Sequence, residues 1–386
     1  MKSRVADNKI NKMDDLLLEV DVLEIFLFIL GLAFIAVATV KNSDKEFIIE
    51  PRELTDGGPP PDGIPSINKP IFLGIEKVEE WLSGRDPVVV LRGEKQVKAY
   101  PLQILIWHEI VNDYLEGRAV SITYSAISNS TTAFNREVRG RVLEFGTTGK
   151  LYKGTSVVYD RQTQSYWLHY SGLCVKGKMA GAQLEMLPVL VTSFREFKLS
   201  HPQGKVLSRY TGHRRKYGRN PYVGYGRTDE RPLLFLGDLD TRVLPKEKVI
   251  GVSYNDKAAA YPYSLFSGEG RRVIHDKIGD LSIVLFFSRG TNSPLDAASI
   301  PFSRDIGSGT VFSPYMDGKM LHFYPEEEGF VDRETGSTWS MLGKCLQGKY
   351  KGSELKIIQH HDTFWFAWSA FFPETFVYAE ELVPIS

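Results

Sequence analysis

One nine-residue pattern occurs twice in this chain. Tyr159-Asp-Arg-Gln-Thr-Gln-Ser-Tyr-Trp167 returns as Val331-Asp-Arg-Glu-Thr-Gly-Ser-Thr-Trp339, with Asp332 standing 172 residues after Asp160. Downstream, Gly172, Cys174, Gly177, Leu184 and Pro202 match Gly343, Cys345, Gly348, Leu355 and Pro373, each 171 residues on. Upstream, Ala99-Tyr-Pro101 matches Ala260-Tyr-Pro262, and His108-Glu109 is aligned with His275-Asp276. The order is kept throughout, so the body reads as two similar units, residues 64–207 and 246–386. Two copies of that length predict a pseudo-symmetric pair, since a solenoid needs several short repeats. Each unit is expected to bury its own apolar interior.

Within a unit the signals are mostly β. Val88–Leu91, Val120–Tyr124, Ser156–Tyr159 and, in the second copy, Leu281–Phe287 are short, β-branched or aromatic runs bounded by turn residues. One helix per unit is expected. In the first it starts near Pro101, with Leu102, Leu105, Ile106 and Ile110 at helical spacing and an end near Asn112-Asp113. The predicted class is α+β, mostly β: two tandem β-rich units, each with about one helix, after an N-terminal transmembrane helix. The 47 basic and 47 acidic residues cancel, which removes the global field that nucleic acid binding uses, so no nucleic-acid partner is expected. Two cysteines exclude a disulfide scaffold or a four-thiolate zinc site; Cys174 and Cys345 read as buried free thiols.

The transmembrane prediction rests on Ile25–Val40, sixteen residues without a charge. A soluble core helix of that length normally keeps a polar stripe. A secretory leader cut near Ala36-Val37-Ala38 is the alternative, but the acid-rich residues 1–24 are unlike a leader's first segment. The flanking basic residues favour a single-pass anchor with a cytoplasmic N-terminus and a periplasmic or extracellular body. Residues 41–63 follow, with Pro59-Pro-Pro61 and flanking glycines, and read as a spacer; a strap that docks on the body and presents Asp62 is the alternative. Residues 208–245 form a basic, tyrosine-rich connector, with Arg209, Arg214, Arg215, Lys216, Arg219 and Arg227 among Tyr210, Tyr217, Tyr222 and Tyr225. It is expected to pack against both units.

The duplicated pattern has an explanation without a ligand. Asp160 and Thr163, or Asp332 and Thr335, can bond backbone amides across a tight turn, while Trp167 or Trp339 covers the hairpin. Arg161 and Arg333 are read as structural with them. The pattern looks like the hairpin of quinoprotein propellers, yet copies some 170 residues apart cannot be blades of about 40. GGPPPDGIPSI at 57–67, AYPLQIL and WHEIVND at 99–113, VSITYSAISN at 120–129 and the two hairpins together resemble the domain of unknown function three-one-seven-nine family. The resemblance covers nearly everything after residue 57 and implies an exported or membrane-attached protein with no assigned reaction. It also implies a C-x-x-C pair where this chain has Ser125 and Ser128, so thiol chemistry is in doubt here.

The polar cluster His108, Glu109, Asn112 and Asp113, followed by Tyr124, Ser125, Ser128 and Asn129, is the candidate ligand-binding region. On a helix His108 and Asn112 would share a face. His108 is the best single candidate for holding a metal ion, although the spacing lacks a second histidine; the alternative is a buried histidine with Asn112-Asp113 capping the helix. Ser125 or Ser128 as a nucleophile has no elbow motif to support it. Asn129-Ser-Thr131 is a glycosylation sequon. His360-His361-Asp362 precedes a core aromatic run. No residue is assigned a catalytic role. The expected function is a membrane-anchored extracytoplasmic binding or accessory protein of unknown ligand, with its pocket in the first unit. A metal-dependent or redox enzyme that has lost its thiols, and a structural subunit held by a membrane protein partner, are the alternatives.

Overall fold

The computed structural model describes residues 47–268 and 270–379. The tail 1–24 and the expected anchor 25–40 lie outside them, and among the described residues no helix is long and apolar enough to cross a membrane. The described chain is mostly β, with four short α-helices: Ile75–Val78, Leu102–Leu105, Phe194–Ser200 and Trp365–Phe371. Three of these fall in the first half and one in the second, where one apiece was expected.

The two halves have the same strand order. In the first, Val189–Ser193 pairs with Pro87–Arg92, and Pro87–Arg92 with Val97–Pro101, all antiparallel; Lys205–Leu207 then runs parallel to Val97–Pro101. In the second, His361–Phe364, Lys248–Tyr254, Lys257–Pro262 and Phe376–Val377 follow the same order, again with a parallel last pair. A second sheet holds Ile110–Leu115, Arg118–Ser125 and Ser130–Asn135 in one half and Arg271–Ile278, Leu281–Ser288 and Ser308–Phe312 in the other. Registers agree residue by residue: Ser125 faces Ser130 as Ser288 faces Ser308. Register also corrects one alignment. Tyr100 Oη donates to Asp113 Oδ2 at 2.7 Å and Tyr261 Oη to Asp276 Oδ2 at 2.6 Å, so Asp276 corresponds to Asp113, and His275 to Asn112.

The helix expected to end near Asn112-Asp113 is a single turn, Leu102–Leu105, and Ile110–Leu115 is a strand. Glu116 and Gly117, with φ of 53° and 82°, make a tight turn that folds Ile110–Leu115 back against Arg118–Ser125. Hairpin pairing therefore overrides the helical spacing, and His108 no longer shares a helical face with Asn112.

The paired hairpins are built alike. Asp160 Oδ1 accepts Thr163 N at 2.6 Å and its Oδ2 accepts Trp167 Nε1 at 2.9 Å. Asp332 accepts Thr335 N at 2.7 Å and Trp339 Nε1 at 2.9 Å. Both aspartates and both tryptophans are fully buried. Cys174 and Cys345 are free and buried behind them.

Each half has an interior of its own, around Ile250, Ile283 and Val311 in the second and Ile110, Phe134 and Trp167 in the first, but two further clusters are shared. Val88, Val90, Leu190, Phe194 and Phe197 of the first half share one cluster with Phe286, Phe312, Phe330 and Trp339 of the second. Conversely, Phe364, Phe366 and Ala367 join Val120, Ile122 and Tyr124. Small sheets leave a large apolar face, and each half covers its partner's. Residues 47–63 are no free spacer either. Leu54–Asp56 pairs with Phe145–Tyr152, Asp62 N bonds Thr147 O at 2.9 Å, and Arg161 grips Asp62 through two bonds of 2.7 and 2.9 Å. Arg161 thus docks the strap, a role Arg333 has no counterpart for. The connector touches both halves: Arg209 bonds Gln103 Oε1 at 2.6 Å, and Asn220 Nδ2 bonds Ala297 O at 3.2 Å.

Two outcomes follow. Asp160→Ala or Asp332→Ala strips a buried acceptor from an amide and an indole N–H and lowers unfolding free energy by roughly 2–4 kcal/mol, measured by urea denaturation of the full chain. Because the cores are joined, the two halves lose structure in one transition, with tryptophan fluorescence and far-ultraviolet dichroism giving the same midpoint; two separated midpoints would contradict the shared core.

Candidate functional site

The turn between Leu105 and Ile110 places two adjacent side chains on opposite sides. His108 points toward the strap and connector. The carbonyl of Pro65, 2.7 Å from Nδ1, can only accept, so Nδ1 carries the proton. Nε2 then accepts from Tyr217 Oη at 2.7 Å, and Thr211 Oγ1 lies 2.5 Å from that hydroxyl. Burial holds the His108 imidazole down to about 4, and both ring nitrogens are engaged. A metal would have to displace Tyr217 or Pro65. Among the described residues no group of three or more His, Cys, Asp or Glu is placed to hold a metal ion.

Glu109 has φ of 55°, a left-handed backbone that few non-glycine residues adopt. Its side chain enters a cavity of about 240 Å³ whose wall includes Pro59 and Ile64 of the strap, Ile127, Val157, Tyr222 and Leu233. The lining is mainly apolar, and the carboxylate's only hydrogen-bond partner among the described residues is Ser156 Oγ, 3.4 Å from Oε2. Lys150 borders the same cavity, but its ammonium bonds Asp56 at 3.0 Å. Removal from water pushes the Glu109 carboxyl up to about 7, with the Ser156 hydroxyl acting weakly the other way. Burial, with Glu109 nearby, raises the Tyr222 phenol to about 12.

Ser125 and Ser128 join different chains of hydrogen bonds. Ser125 Oγ meets Ser156 Oγ at 3.1 Å and so stands one residue behind Glu109. Ser128 Oγ is 2.8 Å from Ser130 Oγ, which is 2.9 Å from His169 Nε2. Proton positions in the second chain follow from counting. Thr132 Oγ1 donates to His169 O at 2.9 Å, so Thr123 donates to Thr132 at 2.7 Å and accepts from His169 Nδ1 at 2.7 Å. Ser130 then donates to Nε2. The chain is closed and wholly buried, and burial keeps the His169 imidazole neutral, down to about 3. Both serines are themselves fully buried, which leaves neither placed as an accessible nucleophile.

The eight candidate residues therefore do not converge on one cavity. Glu109 and, through Ser156, Ser125 form one site. Asn112 is spent on structure, donating to Asn68 Oδ1 and Phe145 O at 2.8 Å each. Asp113 takes Lys98 and Tyr100 at 2.8 and 2.7 Å. Tyr124 donates to Asn129 Oδ1 at 3.1 Å, and Asn129 is buried, which places the sequon's acceptor out of reach of a glycosylating enzyme. His361 stacks on Tyr170 with centroids 4.2 Å apart, while Asp362 pairs with Lys248 at 2.9 Å. Sequence reading missed Ser156, His169 and Tyr222. A signal for His169 was present: the residue two past Trp167 is His169, and two past Trp339 it is Met341. The register makes the contrast broader, since Thr123 of the first half stands where the second has Phe286.

A family model described as "Protein of unknown function (DUF3179)" matches residues 61–375. No curated protein and no solved structure matches the chain.

The raised Glu109 carboxyl makes a signed prediction. Its folded value lies above its unfolded value of 4.5, so the folded state loses stability as pH climbs from about 4.5 through about 7. Glu109→Gln removes that loss. Taking the gap below pH 4.5 as the baseline, the variant has gained on the order of 3 kcal/mol relative to wild type by pH 8, read by urea denaturation at each pH. The buried histidines act in the opposite sense below 6.5 and cancel in this difference; a gap that does not change with pH would show that Glu109 ionises normally.

Proposed function

The chain belongs to the DUF3179 family, and on that premise we propose that it is an extracytoplasmic binding or accessory protein whose ligand site is the Glu109 cavity. The body is tethered to the membrane by residues 25–40, with the N-terminus cytoplasmic. The apolar run and its flanking charges support that placement. The two halves descend from one duplicated unit, a reading supported by the matched strand orders and the matched aspartate–tryptophan clamps.

One observation carries the assignment of the site: a carboxyl group sits on a strained left-handed backbone, in an apolar cavity, without a cation beside it. A purely structural glutamate would cost folding stability there for no return. Ligand chemistry follows from the lining. A mostly apolar cavity of about 240 Å³ suits a small ring or branched chain, and a lone carboxylate selects a hydrogen-bond donor or an amine on it. A thiol-redox reaction finds no sulfur at Ser125 or Ser128, and the histidines of this region are already satisfied by neighbours.

Benzylamine is a suitable probe. At pH 8, where Glu109 is charged, it is expected to raise the melting temperature of the full chain in a saturable manner, and Glu109→Gln should abolish the shift. Benzyl alcohol should act more weakly and without the pH dependence. An equal shift in the variant would place the amine elsewhere and remove the support for this cavity.

A further inference from the structure

A second cavity, of about 300 Å³, lies where the halves and the connector meet. Its origin is a difference in loop length. Residues 126–129 join Ser125 to Ser130 in the first half, whereas residues 289–307 join the corresponding Ser288 to Ser308. The longer loop supplies Arg289, Ser293 and Arg304 to the lining, the connector supplies Gly226 and Thr228, the start of the second half supplies Lys246, and Tyr263 and Phe364 add ring surface.

The charges on this lining do not cancel. Asp305 is used up: its carboxylate takes the amides of Gly290, Thr291 and Gly307 at 2.8–3.1 Å and Arg85 at 2.7 Å. Lys248 is neutralised by Asp362 at 2.9 Å. Glu247 spends a carboxylate oxygen on Ser264 N at 2.7 Å, and burial raises its pKa. Two cations, Arg289 and Arg304, have no carboxylate within 4 Å among the described residues, and a third, Lys246, has only a long ion pair. Lys246 has a side chain 1% exposed, donates to Tyr225 O at 2.8 Å, and finds its nearest carboxylate, Glu230, only at 3.5 Å. Arg289 spends its donors on the carbonyls of Phe266, Gly268 and Asp305 and has no carboxylate within 4 Å among the described residues. Arg304 has no ion pair within 4 Å and no side-chain hydrogen bond among them, and its charge acts on Glu247 only from a longer distance. Ser293 Oγ accepts from Leu295 N at 3.2 Å, which leaves its own proton to donate.

We propose that this cavity binds a small organic anion, a carboxylate or phosphate ester on a flat apolar body, with Arg304, Arg289 and Lys246 opposite its charge and Tyr263 and Phe364 against its body. Positive charge beside partly apolar walls is what such an anion needs, because it gains ion-pair energy in a medium that screens it less than water. The site is separate from the Glu109 cavity and does not depend on it.

The test is calorimetric titration of the full chain with benzoate and with phenyl phosphate at fixed ionic strength. At least one should saturate, and the tighter of the two names the anionic group. Arg304→Gln, an exposed position with no side-chain hydrogen bond to lose, should weaken binding about tenfold or more, while Arg333→Gln, an equal charge change on a distant hairpin, should leave it unchanged. Saturation by neither anion, wild-type affinity in Arg304→Gln, or an equal loss in Arg333→Gln would each overturn the proposal.

Discussion

The packing of Phe194, Phe197 and Leu190 of the first half against Phe286, Phe330 and Trp339 of the second is the contact on which the molecule's organisation depends. A sheet of three to five short strands cannot hide both apolar faces alone, and here each half keeps one cluster of its own and shares others with its partner. The exchange is reciprocal. His361–Phe364 reaches the other half, where Phe364 N and Thr363 Oγ1 both bond Ser128 O, at 2.9 and 3.0 Å. The turn that carries the two serines is thus held by a strand from the far end of the chain.

Two halves with the same sheets allow a comparison that a single domain does not. Where both keep a residue, as with Asp160 and Asp332 or Tyr100 and Tyr261, its bonds are the same in each and its work is to hold the fold. Where they differ, structure no longer dictates the choice. The first half has spent its differences on hydroxyls and a histidine around the turn at Ser125–Ser130, and on a strap that leans over Glu109. The second has spent its own on a longer loop with arginines.

Much of this was legible in the residues. The strands are marked by β-branched runs, and the hairpins by an Asp-x-x-Thr spacing whose hydrogen bonds are local. The failures share a cause. Leu102, Leu105, Ile106 and Ile110 fit a helical face, but the pairing of Ile110–Leu115 with Arg118–Ser125 is set by a turn at Glu116-Gly117 that periodicity does not weigh. The polar cluster at 108–113 dissolved for the same reason, since a strand sends Asn112 and Asp113 to opposite faces. The docking of Asp62 on Arg161 depends on residues about a hundred positions apart, and the merged core on more distant ones still. Local chemistry could be read, and the docking of the strap and connector could be named, but not the partner residues that hold them.

Gly149 has a consequence beyond its own turn. Its φ is +70°, and a Cβ there would lie 1.7 Å from the carbonyl oxygen of Pro59. The close approach ties the route of residues 57–65 to the absence of a side chain on a neighbouring strand. The position is therefore a diagnostic for kin of this chain. Any relative that bears even alanine there must carry its proline segment along another path and so lack this wall of the Glu109 cavity, whatever the rest of its sequence suggests.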